Sequence, residues 1–147
     1  MDKKIKVLVV DDSALVRGML TEILNTSGDI EVVDTAKNGE EGVKKALSLK
    51  PDVITMDITM PIMGGFEAIE RIMQEFPIPI IAVSGMEAKT IMKALDVGAM
   101  DFISVKQDVE DLGKELVEKI KVASKVKPLK RMKKYAINKG PQKKKSS

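Results

Sequence analysis

The chain has 147 residues, enough for one domain with a full core. It contains no Cys and no His, which excludes a disulfide framework, Cys- or His-ligated metals and imidazole acid–base chemistry; a metal here would be held by oxygen, which favours magnesium, calcium or manganese. The net charge of +3 hides an asymmetry: all 22 acids lie between Asp2 and Glu118, while ten of the 25 basic residues fall in 125–147, leaving the body at −7 and the tail at +10.

Ile5–Val10 is short, apolar and β-branched and reads as a buried strand. Ser13 is a good N-cap for the next helix, on which Leu15, Met19, Ile23 and Val16, Leu20, Leu24 recur at i+4 and are expected to form one apolar face. Ser27-Gly28-Asp29 stops that helix. Ile30–Ala36 is a second strand, and Asn38 caps a second helix over Gly39–Leu49, with Val43, Ala46 and Leu47 inward. Lys50-Pro51-Asp52 ends it, because residues before Pro avoid the α region. Val53–Asp57 is strand three and Phe66–Glu75 helix three, with Phe66, Ile69, Ile72 and Met73 apolar. Pro77-Ile78-Pro79 leads into strand four, Ile80–Val83, which ends at Ser84-Gly85. Helix four spans Ala88–Val97 and closes at Gly98, strand five covers Asp101–Val105, and helix five runs Val109–Ser124 with Leu112, Leu116, Ile120 and Ala123 on one face. Five βα units in strict alternation predict an α/β fold, a parallel sheet with helices on both faces. No apolar run is long enough to span a membrane and no signal-type segment follows Met1-Asp2-Lys3-Lys4, so the cytoplasm is the expected location.

Two strands end in acids: Val10 is followed by Asp11-Asp12, and strand three terminates in Asp57. Open α/β sheets place their chemistry at the carboxyl ends of the strands, so Asp11, Asp12 and Asp57 are expected to converge there. Crowded carboxylates repel, and a magnesium ion relieves that repulsion. Acids after strands also cap helices, which Asp12 or Ser13 could do alone. Asp57 precedes a loop, Ile58-Thr59-Met60-Pro61-Ile62-Met63-Gly64-Gly65, and is harder to explain as a cap.

Val9-Val10-Asp11-Asp12-Ser13, Asp57 with Met60-Pro61-Ile62-Met63-Gly64-Gly65, Ser84, and Gly98-Ala99-Met100-Asp101-Phe102 together resemble a response-regulator receiver domain over about 1–124. Within that family the chain looks most like the receiver half of the chemotaxis methylesterase. The resemblance implies a flavodoxin-like (βα)5 doubly wound sheet of five parallel strands, order 2-1-3-4-5. It implies Asp57 as the acceptor of a phosphoryl group from a histidine kinase. Asp11, Asp12, Asp57 and the backbone carbonyl of Thr59 would hold Mg2+. Ser84 would bond the phosphoryl oxygen and Phe102 would be the switch aromatic. Partners would meet the helix 4/strand 5/helix 5 face. Phosphoryl transfer needs positioning and charge neutralisation rather than a general base, which fits a chain without His. Taken alone, a Ser ending a strand is more often a turn residue, and Phe102 would by default be core. A dehalogenase-type phosphatase would need a second Asp where Thr59 stands.

Two departures from the family pattern stand out. Gly64 replaces an acid. The family Lys, three residues after the switch aromatic and followed by Pro, is here Val105, with Lys106-Gln107 next. A strand has period two, so a one-residue slip turns a side chain to the other face; Lys106 reaches the site only through a bulge or relaxed loop. Otherwise Lys106 is a solvated loop residue, or the site lacks its cation.

The expected organisation is a receiver domain at 1–126 and a basic, flexible tail at 127–147, with a helical start around 129–137. The tail holds one aromatic and no helix-turn-helix pattern, so sequence-specific DNA binding is not expected. The expected function is a phosphoryl-switched chemotaxis regulator that is not itself an enzyme beyond its own phosphotransfer and dephosphorylation. The competing readings are a receiver fragment of a methylesterase and a non-phosphorylated binding scaffold.

Overall fold

The computed structural model describes residues 3–60, 63–85 and 88–125. The expected basic tail at 127–147 and the loop residues Pro61 and Ile62 lie outside them. Five strands, β1 (Ile5–Val10), β2 (Ile30–Ala36), β3 (Val53–Asp57), β4 (Ile80–Ser84) and β5 (Asp101–Ser104), alternate with five helices: α1 (Ala14–Thr26), α2 (Gly39–Leu49), α3 (Gly65–Glu75), α4 (Ala88–Val97) and α5 (Val109–Ser124). All pairings are parallel, in the order β2-β1-β3-β4-β5, as the resemblance implied.

Strand alternation builds two cores. Leu8, Val10, Ile54, Met56, Ile80 and Ala82 face the layer of α2, α3 and α4; Val7, Val9, Val53, Ile81, Val83 and Ile103 face α1 and α5. Because both faces are covered, the strands read as continuous apolar runs rather than as alternating ones. Chemistry is therefore left to the sheet's ends. Asp57 pairs in register with Val83 on β4, and Val10 pairs with Met56 on β3, so the residues that follow β1 and β3 meet at one edge.

Helix ends follow their side chains. Ser13 accepts from the Val16 N–H, Asn38 from Glu41 and Asp108 from Asp111. Lys50, before Pro51, leaves the α region by turning left-handed (φ 49°, ψ 60°) instead of becoming extended. Helix α3 starts one residue earlier than expected, at Gly65, and β5 stops one residue sooner, at Ser104.

Leu15 departs from expectation: it is 83% exposed, not part of the α1 face. At about 100° per residue an i+4 stripe drifts by about 40° per step, so Leu15 lies roughly 160° from the midpoint of the buried Leu20 and Leu24. Met19 and Ile23, further along the stripe, are half-buried against the core.

Gly65 is where α3 passes closest to the site. A Cβ there would come within 2.5 Å of the Asp57 carbonyl oxygen and would also meet Ile58 Cα. Gly18, on α1, has nothing within 4 Å of such a Cβ. Helical Ala is ordinarily favoured over Gly by about 1 kcal/mol. Gly18→Ala should follow that rule, whereas Gly65→Ala should lose roughly 1–3 kcal/mol through overpacking against backbone. Urea unfolding midpoints read both, and a stabilising Gly65→Ala would show that α3 does not press on the end of β3.

Candidate functional site

Three strands end in the same local device. Asp11 Oδ1 accepts from the Ser13 N–H at 3.0 Å, and Asp57 Oδ1 accepts from the Thr59 N–H at 3.0 Å. Ser104 Oγ accepts from the Lys106 N–H at 3.0 Å. Each is a side-chain oxygen taking the N–H two residues on, which turns the chain off its strand and pins the side chain at the sheet edge. Thr59 adds its hydroxyl to Asp57 Oδ1 at 2.9 Å, and Arg17 Nη1 donates to the Asp11 carbonyl at 2.9 Å.

The three carboxylates converge as the sequence suggested. Asp11, Asp12 and Asp57 each offer one oxygen, and these lie within 4.8 Å of one another. Asp11 and Asp57 are buried and Asp12 is exposed, so the cluster has two oxygens in the floor and one at the rim. Burial pushes the Asp11 carboxyl up to about 6. The Ser13 N–H opposes that rise, and the charges of Asp57 and Asp12 add to it. An all-oxygen donor set of crowded carboxylates, one held reluctant to ionise, fits a hard divalent cation.

The other expected residues lie on the next two strands, β4 and β5, and the turn after them. Ser84 ends β4, directly opposite Ser104 in the β5 register. A small crevice lies between Ser84 and Phe102, walled also by Ile58, Ala82, Ile91 and Ser104. Phe102 is not core: on the edge strand it is 37% exposed, with the Lys119 ammonium 5.8 Å from its ring centroid. Val105 is exposed too. Lys106 escapes the strand-alternation argument, because β5 has ended and the Ser104 turn has already redirected the chain. Its stem lies across Gly85, the residue after β4; a Cβ on Gly85 would come within 3.2 Å of Lys106 Cε and 3.3 Å of Cγ. No ion pair within 4.0 Å links Lys106 to Asp57 among the described residues. Thr59, expected to offer its carbonyl, presents its N–H and hydroxyl to Asp57. Those donors, and Ser13 on Asp11, were readable as Asp-x-Ser/Thr after a strand; Arg17 carried no such signal.

Comparison with known proteins gives a consistent result. The sequence model of the response regulator receiver domain matches residues 7–117. A protein-glutamate methylesterase/protein-glutamine glutaminase of Archaeoglobus fulgidus is 49% identical over 126 residues, 81% of this chain and 36% of that protein. One from Caldanaerobacter subterraneus is 46% identical over 132 residues, 84% of this chain and 36% of its own length. The chain therefore spans about a third of the relatives it matches. Among solved structures, the response regulator domain of Thermotoga maritima CheB superposes with a TM-score of 0.80 at 44% identity, covering 86% of this chain and all of that one.

The raised Asp11 titration has a stability consequence of definite sign. The folded state holds a proton up to about pH 6 that the unfolded chain releases near 3.8. The associated stability is full below pH 3.8 and is lost as pH rises through about 6, a change of about 3 kcal/mol. Asn at position 11 keeps an Oδ1 for Ser13 and carries no charge. In chelator, Asp11→Asn should match wild type at low pH and exceed it by up to about 3 kcal/mol at pH 8. Added magnesium should narrow that gap by stabilising wild type. Urea denaturation across pH measures this, and equal stability at pH 8 would mean that the ionised carboxylate is not strained.

Proposed function

This chain belongs to the response regulator receiver domain family, and on that footing we propose that Asp57 accepts a phosphoryl group from a histidine kinase. The observation that carries the reading is the meeting of Asp57 with Asp11 and Asp12, oxygens within 4.8 Å, at the carboxyl edge of β1 and β3. Thr59 holds Asp57 Oδ1 with two donors and so fixes the plane of the carboxylate. Attack comes from the oxygen that Thr59 does not engage. A new O–P bond forms as the P–N bond to the donor imidazole breaks; the imidazole keeps the electron pair and takes up a proton. Asp11, Asp12, Asp57 and the Thr59 carbonyl would hold Mg2+. When bound, the ion neutralises charge that accumulates on the transferring phosphoryl oxygens. Ser84 supplies a hydroxyl from the neighbouring strand end, and Lys106 a cation from across Gly85.

The same reading gives the output. A phosphoryl group on Asp57 draws Ser84 toward it, and the crevice beside Ser84 then receives Phe102 from its exposed position. Loss of the Phe102–Lys119 contact changes a face on which Met92, Leu95, Val105 and Val109 are exposed apolar side chains. Such a cluster suits a protein partner. We assign this face to α4, β5 and α5, the domain to 1–126, the basic tail to 127–147, and the role to cytoplasmic chemotaxis signalling, without sequence-specific DNA contact. The described helices include none long and apolar enough to cross a membrane. A second reading follows from the coverage: this segment is the receiver portion of a methylesterase, and the coding sequence after Ser147 separates the two.

Acetyl phosphate as the donor tests the site directly. Intact-mass measurement should find one phosphoryl adduct on wild type in magnesium, none in chelator, and none on Asp57→Asn. An adduct that persists on Asp57→Asn would move the acceptor elsewhere. A wild type that stays unmodified by both the small donor and a histidine kinase would favour a constitutive binding scaffold.

A further inference from the structure

The turn from β5 to α5 is held by one backbone bond, Val105 N–H to the Ser84 carbonyl at 3.1 Å, and then by side chains. Ser104 Oγ takes the Lys106 N–H at 3.0 Å, and the Gln107 side-chain amide donates to the Ser104 carbonyl at 2.8 Å and to Glu115 Oε1 at 3.0 Å. The two N–H groups of one amide thus tie the strand end to the second turn of α5. No cis peptide bond occurs among the described residues, so the path is all-trans.

Lys106 sits between these two pins. Its own N–H is fixed by Ser104 and the next side chain is fixed by Gln107's pair of bonds. The Lys106 stem runs past Gly85, where an added Cβ would meet its Cγ, Cδ and Cε at 3.2–3.6 Å. Strands run β3-β4-β5 across the sheet. A side chain that starts beyond β5 and crosses the residue following β4 is directed toward the end of β3, where Asp57 stands. A flexible four-carbon stem keeps such a direction only if its backbone is held.

We propose that Gln107 is a positioning residue for the site: by clamping the turn to Glu115 it aims Lys106 across Gly85 at the Asp57–Ser84 edge. This rests on the reading of Asp57 as the phosphoryl acceptor and of Lys106 as its cation. Gln107 touches neither the acceptor nor the incoming group; it acts through Lys106. Gly85 takes part by lacking a side chain, since a Cβ there would crowd the Lys106 stem.

The test follows labelling of the full chain by acetyl phosphate in magnesium. Loss of a charge-assisted hydrogen bond in Lys106→Met should slow labelling roughly ten- to a hundred-fold. Gln107→Ala should slow it in the same direction, and Gln107→Glu should do likewise, because it sets an acceptor against the Ser104 carbonyl and Glu115. The double variant Lys106→Met/Gln107→Ala should be within about twofold of Lys106→Met alone. A purely structural Gln107 would give multiplying losses instead. Thermal unfolding accompanies each variant. Should Gln107→Ala lose its fold, Glu115→Ala removes one of the two acceptors outside the turn, and its slowing must vanish in the Lys106→Met background. Wild-type labelling with Gln107→Ala at the wild-type rate, or losses that multiply, overturns the positioning role alone. Failure of wild type to label overturns the acceptor reading and this one with it.

Discussion

Like charge at one edge of the sheet is the constraint on which this molecule turns. Parallel strands with both faces covered leave only their ends for polar groups, and here β1 and β3 bring three carboxylates to one place. Two charges 4 Å apart repel by about 4 kcal/mol at an effective dielectric near 20. That is a large fraction of a small domain's stability. The chain meets the cost with fixed donors. Ser13 and Thr59 aim N–H groups at Asp11 and Asp57, and Arg17 holds the Asp11 carbonyl. These donors orient the carboxylates without discharging them, and Asp11 still titrates near 6. The remaining imbalance is what makes the cluster able to take a cation.

The packing behind the edge serves the same end. Gly65 lets α3 lie against the Asp57 carbonyl, and at Gly39 a Cβ would run into the Met63 carbonyl, so α2 and the loop after β3 are also in backbone contact. Met63 takes a left-handed φ of 45° in that loop. Close backbone approach on two sides leaves the β3 end little room to relax. For Asp57 as the proposed acceptor, freedom is lost at folding and not at reaction, which is how positioning contributes to phosphoryl transfer.

Most of the fold was legible because its signals were local and mutually consistent. Ser13, Asn38 and the apolar runs of β1, β3 and β4 each declare an element that the neighbouring elements also require. Convergence of Asp11, Asp12 and Asp57 followed from topology alone, since any parallel arrangement with β1 beside β3 brings them together. What misled was position at a boundary. Leu15 matches an i+4 pattern but sits at the helix start, where the stripe has drifted out of the core. Phe102, core only by default when the resemblance is set aside, is 37% exposed on edge strand β5. Lys106 was left open between a relaxed loop and a solvated position, and the Ser104 hydroxyl shows that the strand has ended before it. A hydroxyl two residues before a lysine is a turn signal as plain as Asp-x-Thr after β3, and it takes the backbone N–H of that lysine.

The β5–α5 turn places Lys106 by a rule other than strand alternation. A strand fixes side-chain direction by alternation, so a lysine moved one position along a strand is lost to its original face. A turn has no such rule; direction there is set by whichever bonds hold the backbone. Ser104 and Gln107 supply those bonds, and Gly85 leaves the path open. Lys106 is therefore the relaxed-loop case that the sequence left open, with its stem beside Gly85. Because the Gln107 bond reaches Glu115, and Glu115 in turn lies 3.7 Å from Lys119, the helix face tied to the β5–α5 turn also carries the cation over Phe102. A shift of α5 that freed Phe102 would pass through Glu115 to the β5–α5 turn, so that turn and the Phe102 face share one mechanical support.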